Sequence, residues 1–199
     1  MQTEIEAKFL NVNHDKLRAK LKELGAECAQ PMQVLTRVNM DFKDKSLSEK
    51  GGWVRVRGDG KKATLAYKEL GSWTLHGVKE IEVNVSDFAD TQKLLEAIGL
   101  EVYAYQVTKR ETWEYKGAEI VLDIWPWVKP FIEIEGPSEE NVREVAGELG
   151  FEWDKDAVFG SVEPVYLADF DITNEQFYTL DKMTFDDRPP EWLEKKRRG

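Results

Sequence analysis

The sequence predicts an α+β fold: a closed, eight-stranded antiparallel β-barrel with a charged interior and helices packed outside. Two observations support this prediction. The tripeptide EIE occurs three times, each time in an alternating segment that precedes a helical pattern. Charges are also sorted by segment, because three alternating segments carry acidic pairs and two others carry basic residues. A solvated sheet face usually mixes both signs, so the sorting indicates strands whose charged faces point towards one another.

The composition is typical of a globular chain and restricts its partners. Hydrophobic residues make up 41% of the 199 residues, and the formal net charge is -10. Because phosphate contacts favour a basic surface, this balance argues against nucleic acid as a partner. No apolar run is long enough to span a membrane and no secretory signal is visible, so we expect a cytoplasmic protein. The single cysteine, Cys28, fits a reducing compartment and is expected to be buried.

Three strand–helix units contain the EIE segments. EIEAKFLNV precedes NHDKLRAKLKELGAE, KEIEVNVS precedes DFADTQKLLEAIGLE, and FIEIEGP precedes SEENVREVAGELGFE. Apolar residues recur at helical spacing in each second segment, and a glycine stands where each helix should end. Leu94, Leu95 and Ile98 are predicted to line one side of the second helix, which is expected to cover the sheet.

Hairpins supply the other strands. GGWVRVRGDGKKATLAYKEL contains two alternating runs joined by the turn residues Gly58, Asp59 and Gly60. YQVTKRETWEY and AEIVLDIW form a second pair, and QVLTRVNMDF adds one strand, which brings the predicted total to eight. Residues 168–199 are predicted to form a helical appendage with a basic tail, including a capping box from Thr173 to Gln176.

Alternation assigns the charged side chains to one face of each strand. If the amphipathic helices cover the apolar faces, the charged faces line the barrel. The residues placed on these charged faces are Glu4, Glu6, Lys8, Arg55, Arg57, Lys68, Glu80, Glu82, Glu133 and Glu135. Buried charge is costly unless it is paired or bound to a ligand, so the lining predicts a ligand.

The two signs of charge indicate the chemistry of that ligand. Carboxylates are the oxygen ligands that Mg²⁺ and Mn²⁺ prefer, whereas arginine and lysine bind phosphate oxygens. A metal-bound polyphosphate requires both. With only His14, His76 and one cysteine in the chain, a zinc site or a serine–histidine nucleophile has little support.

The ordered motifs resemble the CYTH superfamily, also called triphosphate tunnel metalloenzymes, which includes class IV adenylyl cyclases, thiamine triphosphatases and inorganic triphosphatases. The motifs are EIEAKF, GGWVRVR, TLAYK, KEIEV, KRE, VLD and FIEIEG. The resemblance implies a triphosphate tunnel domain over residues 1–167, followed by the appendage at 168–199. EIEAKF and LKELGAE are most similar to the class IV cyclase branch, with which a homodimer is consistent.

The resemblance also implies roles for individual residues. The implied ligands of a Mg²⁺ or Mn²⁺ ion are Glu4, Glu6, Asp123, Glu133 and Glu135. The implied triphosphate-binding residues are Lys8, Arg55, Arg57, Lys68, Arg110 and, as the alternative to Arg110, Lys109. Glu80 and Glu82 would line the tunnel. The implied catalytic set is Glu4, Glu6, Lys8, Arg57, Asp123 and Glu135.

Two reactions stay open. A class IV adenylyl cyclase converts ATP into cyclic AMP and pyrophosphate through attack of the ribose 3′-hydroxyl on the α-phosphorus. A triphosphatase instead directs water at the terminal phosphorus of inorganic triphosphate or of a small organic triphosphate such as thiamine triphosphate. A third alternative is a non-catalytic polyphosphate-binding module, but such a protein should lack an acidic or basic pair. No adenine pocket is evident, and Trp125 and Trp127 are expected to pack rather than to stack on a base.

Overall fold

One eleven-stranded sheet organises the computed structural model, which describes residues 1–199. The strands are β1 Gln2–Thr3, β2 Glu6–Phe9, β3 Glu27–Phe42, β4 Gly52–Gly58, β5 Ala63–Leu70, β6 Val78–Val85, β7 Leu100–Tyr115, β8 Ala118–Ile124, β9 Phe131–Glu135, β10 Ala157–Val158 and β11 Lys182–Met183. The α-helices are α1 His14–Glu23, α2 Phe88–Ala97, α3 Glu139–Leu149, α4 Trp153–Asp156, α5 Glu163–Asp169, α6 Asn174–Phe177 and α7 Glu191–Glu194, with a 3₁₀ turn at Ser48–Lys50.

The sheet curls because its first and last long strands are both paired by the N-terminal segment. The strand order is β1-β6-β5-β4-β3-β7-β8-β9-β2-β10, and these neighbours are antiparallel. Strand β1 pairs with β6, and β2 pairs with β9. Only Glu4 and Ile5 separate β1 from β2, and the amide of Glu4 donates to the carbonyl of Val78 at 2.9 Å. The predicted α+β fold built on an antiparallel sheet is therefore confirmed. The sheet is curled, and the closed eight-stranded barrel stays a prediction.

The strand count differs from the predicted eight for two reasons. The first EIE strand is divided into β1 and β2, and the C-terminal part of the chain adds β10 and β11. Strand β11 is the exception to the antiparallel pattern, because it runs parallel to β7 at Tyr105 and Gln106. It lies beyond Ile124, where β8 stops pairing with β7.

Local sequence signals explain where the helices begin and end. The side chains of Asn13, Asp87 and Ser138 accept hydrogen bonds from the first-turn amides of α1, α2 and α3, as N-cap residues do. Gly150 ends α3 with a positive φ of 94°, which glycine adopts without steric cost. The predicted capping box at α6 is present, and Asp59 anchors the β4–β5 turn.

Helices α1 and α3 cover the outer face of β2, β8 and β9. The main core cluster joins Leu17 and Leu21 of α1 and Val142 and Val145 of α3 to Ile132 and its neighbours in the sheet. Burial of this apolar surface holds the charged faces of the same strands inward, since alternate side chains point to opposite sides.

Helix α2 covers the sheet less completely than its sequence predicted. Leu95 is buried, but Leu94 and Ile98 are 64% and 63% exposed, so the predicted apolar side of α2 is only partly packed. The outward residues Ile81 and Val83 of β6 are also about half exposed. Cys28, expected to be buried, is exposed.

The C-terminal residues pack against the sheet as a second core. Trp125 and Phe131 form a cluster with Tyr166, Phe170 and other apolar side chains of residues 160–199. Tyr166 lies within 6.5 Å of Trp125, and its hydroxyl donates to the carbonyl of Pro126 at 2.9 Å. Helix α5 spans the predicted boundary at 167/168, and the tail residue Arg198 pairs with Asp171 at 3.1 Å.

None of the helices is both long enough and apolar enough to cross a membrane.

Candidate functional site

A cavity of about 810 Å³ lies inside the curled sheet, and most of the predicted site residues line it. The strands bring together residues that are distant in sequence. The predicted residues that line the cavity are Glu4, Glu6, Lys8, Arg55, Arg57, Lys68, Glu80, Glu82, Arg110, Glu133 and Glu135. Directly paired residues of neighbouring strands share one face of the sheet. Glu6 lies opposite Glu135 and Lys68 lies opposite Glu80, so these side chains share the face that lines the cavity.

The basic residues of the cavity form two ion-paired groups. In the first, Arg55 contacts Glu80 and Glu82 at 2.8 Å each, and Arg57 contacts Glu82 at 3.2 Å. Lys68 links this group to the N-terminal segment, with Glu4 at 3.1 Å and Glu80 at 3.2 Å. These contacts place three cations on β4 and β5 beside the acidic pair of β6.

The second group surrounds Glu133 on β9. Lys8 contacts Glu133 at 3.4 Å and also pairs with Glu6, while its ammonium donates to the carbonyl of Gly160 at 2.8 Å. Arg110 contacts Glu133 at 2.7 Å, and two of its nitrogens donate hydrogen bonds to the carboxylate of Asp123. Although burial opposes its charge, the carboxylates of Asp123 and Glu133 hold the pKa of Arg110 above its usual range.

Several guanidinium groups lie close enough in the cavity to influence one another's charge. Burial, together with the charges of Arg55 and Arg110, lowers the pKa of Arg57 to about 10. The pKa of Arg37 is lowered well below its usual value by burial and by Arg110, Arg55 and Arg57. Burial is the larger cause of both shifts, and repulsion among the cations adds to it, so an anion placed among them would relieve that repulsion.

Arg37 is a cavity residue that the sequence analysis missed. It is 6% exposed, forms no salt bridge, and donates one hydrogen bond to Thr108 at 3.0 Å. Its guanidinium lies 4.7 Å from the ring centroid of Trp125. The segment TRVNMDF carries only one charge of each sign, so it lacks the paired charges that identified the other strands. Register, which places Arg37 opposite Arg57, would have revealed it.

The acidic residues form a row at another part of the cavity. Glu6 of β2, Glu135 of β9 and Glu119 of β8 are direct cross-strand neighbours. Burial and the adjacent carboxylates of Glu6 and Glu119 raise the pKa of Glu135 to about 7. Burial likewise raises the pKa of Glu4 to about 8, assisted by its hydrogen bond with Glu80. Glu119 was also missed, because AEIVLDI carries a single glutamate rather than a pair.

These carboxylates fit a divalent cation by their chemistry. Glu135 and Glu6 are oxygen donors placed side by side, and a cation between them would remove the like-charge repulsion that raises the pKa of Glu135. No group of three or more acidic, histidine or cysteine side chains is arranged to hold a metal. The carboxylates therefore do not form a preassembled metal site. Glu6 is also paired with Lys8, while Glu133 contacts Lys8 and Arg110 and Glu4 contacts Lys68.

Two predicted site residues do not line the cavity. Asp123 is fully buried beneath Arg110, so its carboxylate positions that guanidinium and is not open to a metal from the cavity. Lys109 lies on the opposite face of β7, where its ammonium is 4.8 Å from the ring centroid of Phe185. Of the alternatives Lys109 and Arg110, the structure brings only Arg110 to the cavity.

Comparison with known proteins agrees with this architecture. A family model described as "CYTH domain" matches residues 2–159. No curated protein matches the chain significantly.

Solved structures share the fold at low sequence identity. A protein of Pyrococcus horikoshii OT3 is 21% identical, with a TM-score of 0.68 over 81% of this chain and 98% of that one. A Vibrio parahaemolyticus protein described as a candidate adenylate cyclase is 18% identical, with a TM-score of 0.71 over 82% and 97% of the two chains.

A Hippeastrum protein, described as a candidate adenylyl cyclase with a dominant triphosphatase activity, is 14% identical, with a TM-score of 0.58 over 83% and 95% of the two chains. The family match covers strands β1 to β10 and most of the residues that line the cavity. The chain belongs to the CYTH family.

Proposed function

We propose that this protein is a divalent-metal-dependent enzyme that binds a triphosphate in the cavity and breaks one of its P–O–P bonds. The observation that supports this most strongly is the crowding of Arg37, Arg55, Arg57 and Arg110 around one cavity that also contains carboxylates. A triphosphate chain supplies negative charge to all four guanidinium groups, and arginine binds phosphate oxygens in pairs.

Binding would exchange partners within the cavity. Arg55 and Arg57 now contact Glu80 and Glu82, and these contacts hold the guanidinium groups in place before the ligand arrives. Lys8 is fixed from three sides by Glu6, Glu133 and the carbonyl of Gly160. Groups already oriented need less reorganisation as charge develops on the phosphate oxygens, which lowers the barrier.

Mg²⁺ or Mn²⁺ would be held by Glu6 and Glu135, with Glu119 beside them. When bound, the ion supplies charge neutralisation on the phosphate oxygens. Glu4 lies near this ion site, since its carboxyl contacts Lys68 and the charge of Glu6 contributes to its raised pKa. Asp123 orients Arg110 from behind.

The first candidate reaction is that of a class IV adenylyl cyclase, ATP to cyclic AMP and pyrophosphate. The order of sequence motifs supports it, as does the fold shared with the Vibrio parahaemolyticus protein. In this reaction a carboxylate of the cavity accepts the proton of the ribose 3′-hydroxyl.

The second candidate is hydrolysis of a triphosphate, in which a carboxylate of the cavity accepts a proton from water instead. The triphosphatase activity attributed to the Hippeastrum protein of the same fold favours this candidate. A cytoplasmic location and a homodimer stay predictions from the sequence.

A product assay separates the candidates. The protein is incubated with ATP or with inorganic triphosphate, each with Mg²⁺ or Mn²⁺, and the products are resolved by ion exchange. Cyclic AMP with pyrophosphate establishes the cyclase, and orthophosphate without cyclic nucleotide establishes the hydrolase. Glu135→Gln should remove the turnover, whereas Glu140→Gln on the exposed side of α3 should not. No turnover of either substrate by the unaltered protein contradicts the proposal.

A further inference from the structure

Strand β6 leaves part of one edge of the sheet without a partner. Strand β1 pairs with β6 at Lys79 and Glu80 and not beyond, whereas β6 continues to Val85. On its other side, β6 pairs with β5 along its whole length with no shift in register. Residues 81–85, which we call the free edge, therefore form a regular strand with a neighbouring strand on one side alone.

The pairing of β1 identifies the backbone groups that point out of the free edge. The amide of Glu4 donates to the carbonyl of Val78 at 2.9 Å, so the backbone groups of Val78 point towards the β1 side. Every second residue of an antiparallel strand points its backbone groups to the same side. The N–H and C=O groups of Glu82 and Asn84 therefore point out of the free edge, where no strand pairs with them.

The free edge lacks the irregularities that prevent many exposed strands from pairing. Prolines, bulges and lysines are common at such edges. Strand β3 shows this protection where it extends beyond β4, because it contains Pro31 and its register shifts twice between Cys28 and Gln33. The sequence of the free edge, IEVNV, contains no proline or lysine, and its pairing has no bulge. A further strand can therefore pair with it.

The two faces of the free edge determine which side chains a partner strand would carry. On the outer face, Ile81 and Val83 are 50% and 51% exposed, so apolar side chains beside them would bury apolar surface. On the cavity face, the only charged residue of the free edge is Glu82. A carboxylate favours a basic neighbour on the adjacent strand and opposes an acidic one.

Glu82 can accept a further donor from an added strand. Arg55, Arg57 and Thr64 donate to its Oε2, whereas its Oε1 has one contact at 3.5 Å, from Arg57. Its side chain is 32% exposed. A carboxylate has about four lone-pair sites, so these contacts leave room for a lysine or arginine.

A second copy of the chain fits the free edge less well by charge. The antiparallel register that pairs all five residues places Val83 opposite its equivalent and Glu82 opposite Asn84, which makes the two Glu82 carboxylates diagonal neighbours. Each chain also carries a net charge of -10. Shifting the register by two residues either places Glu82 directly opposite its equivalent or pairs fewer of the five residues. Like charges at such positions oppose pairing.

We propose that the free edge docks an extended segment of another protein in which apolar residues alternate with lysine or arginine. The segment adds one strand to the sheet. Its backbone bonds to Glu82 and Asn84, its apolar residues cover Ile81 and Val83, and a basic residue lies beside Glu82. In this mode of recognition main-chain hydrogen bonds give affinity and alternate side chains give specificity. The proposal is independent of which reaction takes place in the cavity.

The test measures the binding of two fluorescein-labelled peptides to the full chain by fluorescence anisotropy. Their sequences are TVKVKVT and TVEVEVT, so they share apolar residues and length and differ in charge. The lysine peptide should bind at least about tenfold more tightly than the glutamate peptide. Its affinity should fall as salt is added, because salt screens exposed charges.

Two substitutions change the free edge without removing its bonds to β5. Asn84→Pro removes an N–H that points out of the edge, and Val83→Lys places a charge on the outer face. Each should weaken binding of the lysine peptide about tenfold. Val34→Lys is the matched control, because Val34 is also 51% exposed but lies on β3, and this variant should bind like the unaltered protein.

Several outcomes would overturn the proposal. These are equal affinity for the two peptides, affinity that survives both substitutions, and no binding of either peptide at about 1 mM. Sedimentation equilibrium of the protein alone tests the second copy. A dimer that Asn84→Pro abolishes assigns the free edge to self-association and also overturns the proposal. If Asn84→Pro does not fold, as judged by circular dichroism, Val83→Lys with its control decides.

Discussion

Glu135 illustrates how the charge of one residue in the cavity depends on its neighbours. Its carboxyl lies between Glu6 and Glu119 on adjacent strands, and burial with this crowding raises its pKa to about 7. A carboxyl whose pKa is higher in the folded state binds its proton more tightly there than in the unfolded chain. Ionising Glu135 therefore lowers the free energy of unfolding.

This placement predicts the pH dependence of stability. Because the ordinary glutamate pKa is 4.5 and the folded value about 7, the contribution of Glu135 is complete below pH 4.5 and is lost as the pH rises to about 7. The melting temperature of Glu135→Gln, relative to the unaltered protein, should rise across this interval and stay constant above it. Scanning calorimetry at several pH values measures the difference. A constant difference from pH 4 to 8, like that expected for the exposed control Glu140→Gln, would contradict the assignment.

Arg57 gives a prediction about binding. Its guanidinium lies near Arg55 and Arg110 and shares the carboxylate of Glu82 with Arg55. Removing this group should chiefly lower the affinity for triphosphate. Arg57→Ala should raise the Kd for magnesium triphosphate about 10- to 100-fold, the range expected for loss of a charged hydrogen bond. Lys61→Ala, in the exposed turn between β4 and β5, is the control. An unchanged Kd in Arg57→Ala would remove this residue from the site.

The sequence could place a residue in the cavity where two like charges stand at alternate positions of one strand. Glu80 and Glu82 or Arg55 and Arg57 define a strand face by themselves, because alternation needs no tertiary information. Arg37, Glu119 and Glu163 are single charges in apolar or mixed segments, so their location depended on register and on how the C-terminal segment folds back. The same limit explains Asp123, whose strand was recognised but whose burial beneath Arg110 depends on packing.

At the scale of elements, caps and turns were predictable where one side chain determines them. Asp87 and Ser138 start helices by bonding the amide three residues on, and Asp59 closes a turn in the same local way. Coverage of the sheet was not predictable from helical periodicity. Leu94 lies at the expected spacing but faces solvent, because the crossing of α2 over the sheet decides which apolar residues find a partner.

The C-terminal elements are predicted to stabilise the whole domain. Phe170 is fully buried, packs on Tyr166 at 6.4 Å and lies under Arg197 at 4.4 Å. Phe170→Ala should lower the free energy of unfolding by about 3–5 kcal/mol, the usual cost of emptying a buried aromatic site. Urea unfolding followed by tryptophan fluorescence measures it, since Trp125 belongs to the same cluster.

The control for that experiment is another phenylalanine of the same segment. Phe185 is 38% exposed, so Phe185→Ala should cost less than about 1 kcal/mol. Equal losses for the two variants would show that the C-terminal cluster does not contribute to the cooperative unit.

At the scale of the whole molecule, like charges are concentrated in the cavity, and a bound ligand should reduce the repulsion between them. Saturation with Mg²⁺ and a non-hydrolysable triphosphate at about 100 times Kd should stabilise the fold by about 2.7 kcal/mol. For a chain of this size the melting temperature should rise by about 5–10 °C. Mg²⁺ with sulfate at equal ionic strength is the control. Absence of a shift at saturating ligand would contradict a ligand-binding cavity.

The pairing of residues 2–9 with both β6 and β9 also has a consequence during protein synthesis. Strand β2 cannot complete its contacts until Phe131–Glu135, which lie later in the chain, have been made. At about 5–20 residues per second this takes roughly 10 s, during which Ala7 and Phe9 lack their partners in β9. The nascent chain therefore carries an unpaired apolar strand until β9 has been made, and such a strand is exposed to aggregation during that time.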